Sequence, residues 1–136
     1  MSTEKLVACI RNDALSAIMS IPKVMELSDS VPFSKNLSEA EKQYMDILNA
    51  CNTMNTDSGT FALHPVSCGV LSELNNTRDV NVSALAESVI LIGTASAVEL
   101  KREIRGNPDA GREAKKLALE LLELNESQIE TMKGFL

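Results

Sequence analysis

Few residues in this chain have the chemistry of a reactive or metal-binding site. His64 is the one histidine, and Cys68 follows four positions later. That spacing puts both on one face of a helix that begins just before them. With Cys9 and Cys51 they make a Cys3His set, the ligand complement of a closed zinc site. The zinc reading needs three thiols from distant segments to converge near His64. The competing reading treats Cys9 and Cys51 as small hydrophobes on apolar helix faces, a common role for unpaired cysteines. A catalytic Cys68–His64 pair lacks a third group to orient the base, and two neighbours on one helix rarely aim at the same substrate atom.

The cations are concentrated. Six of the 13 lie between positions 101 and 116: Lys101, Arg102, Arg105, Arg112, Lys115 and Lys116. They sit where the chain turns from one predicted helix into the next. One reading is a site for an anionic ligand or acidic partner, helped by the amino end of the second helix. The other is simple complementation of the first helix's carboxyl end, diluted by Glu99, Glu103, Asp109 and Glu113. No aromatic residues interleave, as stacking on nucleic acid requires. Met19, Met25, Met45, Met54 and Met132 fall mostly on apolar faces, and suit either a core or an adaptable binding surface.

Other chemistries are excluded. A di-metal carboxylate centre needs two Glu-x-x-His motifs on facing helices, and none occurs. A calcium loop over Asn55–Val66 lacks the bidentate acid at its twelfth position. There is no GxxxxGK[ST], GxGxxG or GxSxG.

The elements that must position these residues are helices. The chain has 136 residues, 44% of them hydrophobic, and a net charge of −6. That is long enough to bury a core and too apolar for a disordered acidic chain. The negative balance disfavours a phosphate-backbone binder. Leu6, Ile10, Leu15, Ile18 and Met19 predict a helix over 3–21, ended or kinked at Pro22, with a short piece Lys23–Leu27 after it. Residues 28–37 read as loop. Ser38 and Glu41 form a capping box for a second helix with an apolar face of Tyr44, Ile47, Leu48, Cys51 and Met54. Asn55–Gly59 turns the chain. Pro65 starts a shorter helix over 65–74, and Asn75–Asp79 is a loop. A fourth helix runs from Val82 to Arg105, capped by Asn81. Its middle, Val89–Val98, has no polar face, which predicts a central helix. Gly106 ends it. Asn107, Pro108 and Asp109 then read as cap, first position and first-turn acid of a fifth helix over 108–135. Its stripe includes Ala114, Leu117, Ala118, Leu121, Leu122, Leu124, Ile129 and Met132.

The last two predicted helices resemble a known hairpin. The resemblance lies in Leu91 through Ala97-Val98-Glu99-Leu100, in Gly106-Asn107-Pro108-Asp109, and in Ala114–Leu136 with Gln128-Ile129-Glu130-Thr131-Met132-Lys133. This stretch resembles the C-terminal hairpin of a small ferritin-like family of bacterial helical bundles. Its members are mostly exported, and the metal-associated ones are rich in His and Met. The resemblance implies a bundle fold. The family's adjacent histidines would fall near Gly93-Thr94-Ala95-Ser96, where this chain has none, so copper binding is not implied.

The expectation is an all-α antiparallel bundle of four long helices and one short helix, forming one domain over 1–136. Met1–Lys5 opens no basic-then-apolar signal segment. The longest uncharged apolar run, between Glu87 and Glu99, spans only about 16 Å as a helix. A cytoplasmic location without membrane contact is therefore expected. With no catalytic motif and no cofactor signature, the expected role is binding a small ligand or a protein partner. The surplus apolar character of 89–98 suggests a cavity or a homo-oligomer face. A small acidic inhibitor or adaptor docking through Glu120–Glu130 is the rival, and a Cys3His metal protein the second. No nucleic-acid partner is expected.

Overall fold

The computed structural model describes residues 2–54, 64–76 and 80–136. The expected turn at Asn55–Gly59 lies outside them, as does part of the Asn75–Asp79 loop. Five helices follow in order: α1 (Ser2–Leu27), α2 (Val31–Asn52), α3 (Pro65–Asn75), α4 (Val82–Gly106) and α5 (Arg112–Lys133). The fold is the all-α bundle of four long helices and one short one, with no strand among the described residues.

The pairing follows from the connections. Ser28–Ser30 joins α1 to α2 and Asn107–Gly111 joins α4 to α5, and connections this short make antiparallel hairpins. The main packing is α1 on α2 and α4 on α5. The two hairpins then meet chiefly along α1 with α5 and α4, and α2 with α5. The fully enclosed side chains of the core include Leu6, Ile10, Phe33, Leu37, Leu85, Leu100, Leu121 and Met132.

Three expectations are corrected. First, α1 runs unbroken through Pro22. Pro22 itself is exposed, while Ile21 and Val24 on either side of it are buried. Burying each contributes about 1.5–3 kcal/mol, which offsets the roughly 3 kcal/mol cost of an interior proline. Second, α2 begins two turns earlier than Ser38. Ser30 is its cap, accepting from the Phe33 N–H, with proline at the start of the helix. Ser38 is therefore interior, and the buried stripe of α2 is Phe33, Leu37, Ala40, Tyr44, Ile47 and Cys51. These steps of four and three are the seam of a helical bundle. Third, Asn107 does not start α5. Its amide turns back to donate to the Glu103 carbonyl at 2.8 Å, satisfying one of the last carbonyls of α4. Gly111 occupies the cap position of α5 instead, its N–H held by Thr3 Oγ1 at 2.8 Å.

Helix α4 matches its expected span and its Asn81 cap, whose Oδ1 accepts from the Ala84 N–H at 2.8 Å. It is not enclosed on all sides, however. It packs on α5, α1 and α3, but Leu91 and Val98 on its outer face stay 50% and 52% exposed. Among the described residues it is the one helix long and apolar enough to cross a membrane by length and composition.

Candidate functional site

The helices carry a set of polar side chains into the bundle interior, at positions where the heptad stripes call for apolar ones. On α1, Asp13 falls beside Ile10, Ala14 and Ala17. On α2, Tyr44 lies in the stripe between Ala40 and Ile47. On α5, Asn125 falls between Leu121 and Met132, and it is almost fully buried. On α4, Ser96 is buried beside Ala97.

These groups are joined in a chain of hydrogen bonds. Tyr44 Oη donates to Asn125 Oδ1 at 2.6 Å. Asn125 Nδ2 donates to Asp13 Oδ2 at 2.8 Å. The Ser96 hydroxyl also serves the Asp13 carboxylate. Since both partners of Asn125 are fixed, its amide orientation is determined.

Burial pushes Asp13 up from 3.8 to about 6, against the bonds from Asn125 and Ser96, which favour the ionised form. Among the described residues no Lys or Arg forms an ion pair with it. Burial, with the Asp13 charge nearby, also pushes Tyr44 above the ordinary phenol range.

Two open spaces meet at Asp13 and Ser96. The larger is a cleft of about 350 Å³. Cys9, Asn12 and Ser16 of α1 form one wall, Glu99 of α4 the other, and His64 and Pro65 close it at the start of α3. The smaller is an apolar slot of about 40 Å³ running inward among Ala17, Ile21, Leu37, Ile92 and Gly93, with Gln128 at its edge. At Gly93 α4 and α5 approach closely, and a side chain there would press on Ile129. A Cβ there would meet Ile129 Cγ1 at 3.3 Å.

His64 has a double role. Its Nδ1 accepts from the Val66 N–H at 3.1 Å, capping α3. The ring proton is therefore on Nε2, which lies 2.9 Å from Glu99 Oε2. This bond ties α3 to α4 across the mouth of the cleft.

The sequence-derived candidates are placed as follows. Cys9 and His64 both line the cleft, but Cys51 is buried with its sulfur 4.0 Å from the Val7 carbonyl, and Cys68 is exposed on α3. The four do not come together. Among the described residues no group of three or more His, Cys, Asp or Glu is arranged to hold a metal ion. The Cys9 thiol is pushed well above the ordinary range, by burial first and then by Glu99, Asp13 and Glu103. It stays protonated at neutral pH and is no thiolate nucleophile. Burial pushes Cys51 up to about 11, with Arg11 opposing.

The cations gather at the α4–α5 turn. Lys101 pairs with Glu126 at 3.3 Å, and the Lys115 ammonium donates to the Pro108 carbonyl. Arg102, Arg105, Arg112 and Lys116 are exposed. Of the methionines, Met132 is in the core, Met25 and Met54 pack against it, and Met19 and Met45 are exposed.

Asp13, Asn125 and Gln128 were not among the sequence-derived candidates. The signal available was a polar residue on an otherwise apolar helical stripe. No known family, no curated protein and no solved structure matches this chain.

Proposed function

We propose that this chain is a non-catalytic binding protein that takes a small molecule into the cleft between α1, α3 and α4. One observation carries this reading: a carboxylate without a Lys or Arg partner among the described residues sits where the cleft opens into an apolar slot. Burying a charge is costly, and an apolar residue at position 13 would make a more stable bundle. Costs of this kind cluster at functional sites, where stability is traded for binding. A concave, largely apolar space with a few convergent polar groups is the usual form of a small-ligand site. The protonated state of Cys9 supports binding rather than covalent chemistry.

Native mass spectrometry of protein purified gently from its own source tests the reading. The expected result is a retained small molecule that is lost from Asp13→Leu. A bare chain that no small molecule stabilises would overturn it.

Self-association is part of the same proposal, supported by the outer face of α4. Val66, Leu91 and Val98 line an open groove there together with Glu99, Arg102 and Glu103. A stripe holding both acids and a base is self-complementary when two copies pack about a two-fold axis. Light scattering is expected to show a dimer that Leu91→Glu dissociates.

A further inference from the structure

We propose that the molecule held in the cleft is a small organic cation, a primary ammonium carried on a short aliphatic chain. This rests on the ligand-binding reading above and specifies its chemistry.

The argument is a count of hydrogen-bonding valences at the site. The strong donors are already engaged within the protein. Tyr44 Oη–H is given to Asn125, and the Asn125 amide to Asp13. The His64 Nε2–H faces Glu99, and the Ser96 hydroxyl is given to Asp13. Ser16 and Ser20 donate to the carbonyls of Asn12 and Ser16, each at 2.7 Å. Each of these serines therefore turns only lone pairs towards the open space.

What remains is richer in acceptors than in donors, and both of its carboxylates are negative. Asp13 has a second oxygen, Glu99 a second carboxylate oxygen, and Ser16 a hydroxyl oxygen. Gln128, at the edge of the slot, carries a buried Oε1 with no hydrogen-bond partner. The Asn12 and Gln128 amides each bring donors as well as an acceptor, and the Cys9 thiol is a weak donor. A site rich in acceptors is completed by a ligand that brings donors, and an ammonium brings three with a compensating charge. A carboxylate or phosphate ligand would face Asp13 and Glu99 with like charge.

The slot sets the rest of the ligand. Its volume of about 40 Å³ holds about three water-sized groups, and its walls of Ala17, Ile21, Leu37 and Ile92 are aliphatic. It shares Asp13 and Ser96 with the cleft. An ammonium at Asp13 therefore directs a chain of three or four carbons inward.

The ligand competes with a proton at Asp13. The other groups facing this carboxylate are Cys9 on α1, Tyr44 on α2, His64 before α3, Ser96 and Glu99 on α4, and Asn125 on α5. Cys9 and Tyr44 hold their protons at neutral pH. Binding is expected to weaken by up to about tenfold for each pH unit below the midpoint near 6.

The test is a titration of the whole chain with n-butylammonium, n-butanol and n-butyrate, followed by amide chemical shifts in NMR. Butylammonium is expected to shift the amides of Asp13, Ser96 and Asn125. Its affinity is expected to fall at least tenfold in Asp13→Asn and less in Glu99→Gln, whose amide oxygen can still accept from His64 Nε2. If butanol or butyrate binds these residues as tightly as the amine, the cation class is overturned and the ligand-binding reading stands. If no compound shifts them, the cation class also falls, and native mass spectrometry decides the wider reading separately. Butylammonium binding that Asp13→Asn does not weaken overturns the proposal as well.

Discussion

Asp13→Asn keeps the shape of the side chain and removes the charge that burial resists. The carboxyl titrates near 6 in the folded protein and near 3.8 when unfolded. The folded value is the higher one, so the native state binds more protons than the unfolded state between these limits. Stability therefore falls as pH rises through this window, and the full cost is present above it. A shift of roughly two units is worth about 3 kcal/mol. The carboxyl is partly open to the cleft, which makes this an upper value, already net of the bonds from Asn125 and Ser96. At pH 7.5 the variant is expected to be the more stable protein by up to about 3 kcal/mol, or about 10 °C in Tm for a chain of this size. At pH 4 the gap is expected to shrink below about 1 kcal/mol, because Asp13 is then neutral in the native wild type. Urea unfolding followed by circular dichroism, on both proteins from pH 4 to 7.5, measures the gap. Titrating groups that do not interact with the Asp13 charge cancel in the difference. A gap that does not change with pH would refute the claim that an uncompensated charge is buried at position 13.

Three further outcomes are expected. Tyr44→Phe leaves Asn125 Oδ1 buried without its donor and is expected to cost about 1–3 kcal/mol in urea unfolding. Ser30→Ala removes the cap of α2 and is expected to cost about 1 kcal/mol, whereas Ser38→Ala, inside the helix, is expected to be neutral or slightly stabilising; the reverse order would move the start of α2 to Ser38. Pro22→Ala restores a backbone donor inside α1 and is expected to raise the urea midpoint, by about 1–3 kcal/mol in stability.

The helices were legible because their apolar residues recur at helical spacing, and α4 with its Asn81 cap was readable nearly to the residue. Two of the errors have a common origin. At Ser38 and Pro22 local chemistry pointed to a boundary, and packing overrode it; at Asn107 the boundary is real, but the side chain closes α4 instead of starting α5. Phe33 and Leu37 extend the α2 stripe into the stretch read as loop, and a buried Phe33, packed edge-on against Phe135 at 5.2 Å, outweighs a good capping box. The site was hidden for another reason. Asp13 and Asn125 are 112 positions apart, and neither carries a motif. Each is only an interruption of an apolar pattern. That they interrupt at the same height of the bundle is a property of the packed helices, which periodicity alone does not reveal.

The placement of the polar chain has a consequence for assembly. Asp13 and Tyr44 belong to the first hairpin, and Ser96 and Asn125 to the second. Each hairpin is built from local contacts and can form early, whereas the seam between them closes long stretches of chain and is slow to gain. The proposed site does not exist in either hairpin alone. It is made at the moment the two halves dock, and docking is also the step that strips water from Asp13. A ligand that neutralises this carboxylate acts as a clasp on the docked state, stabilising the bundle by mass action.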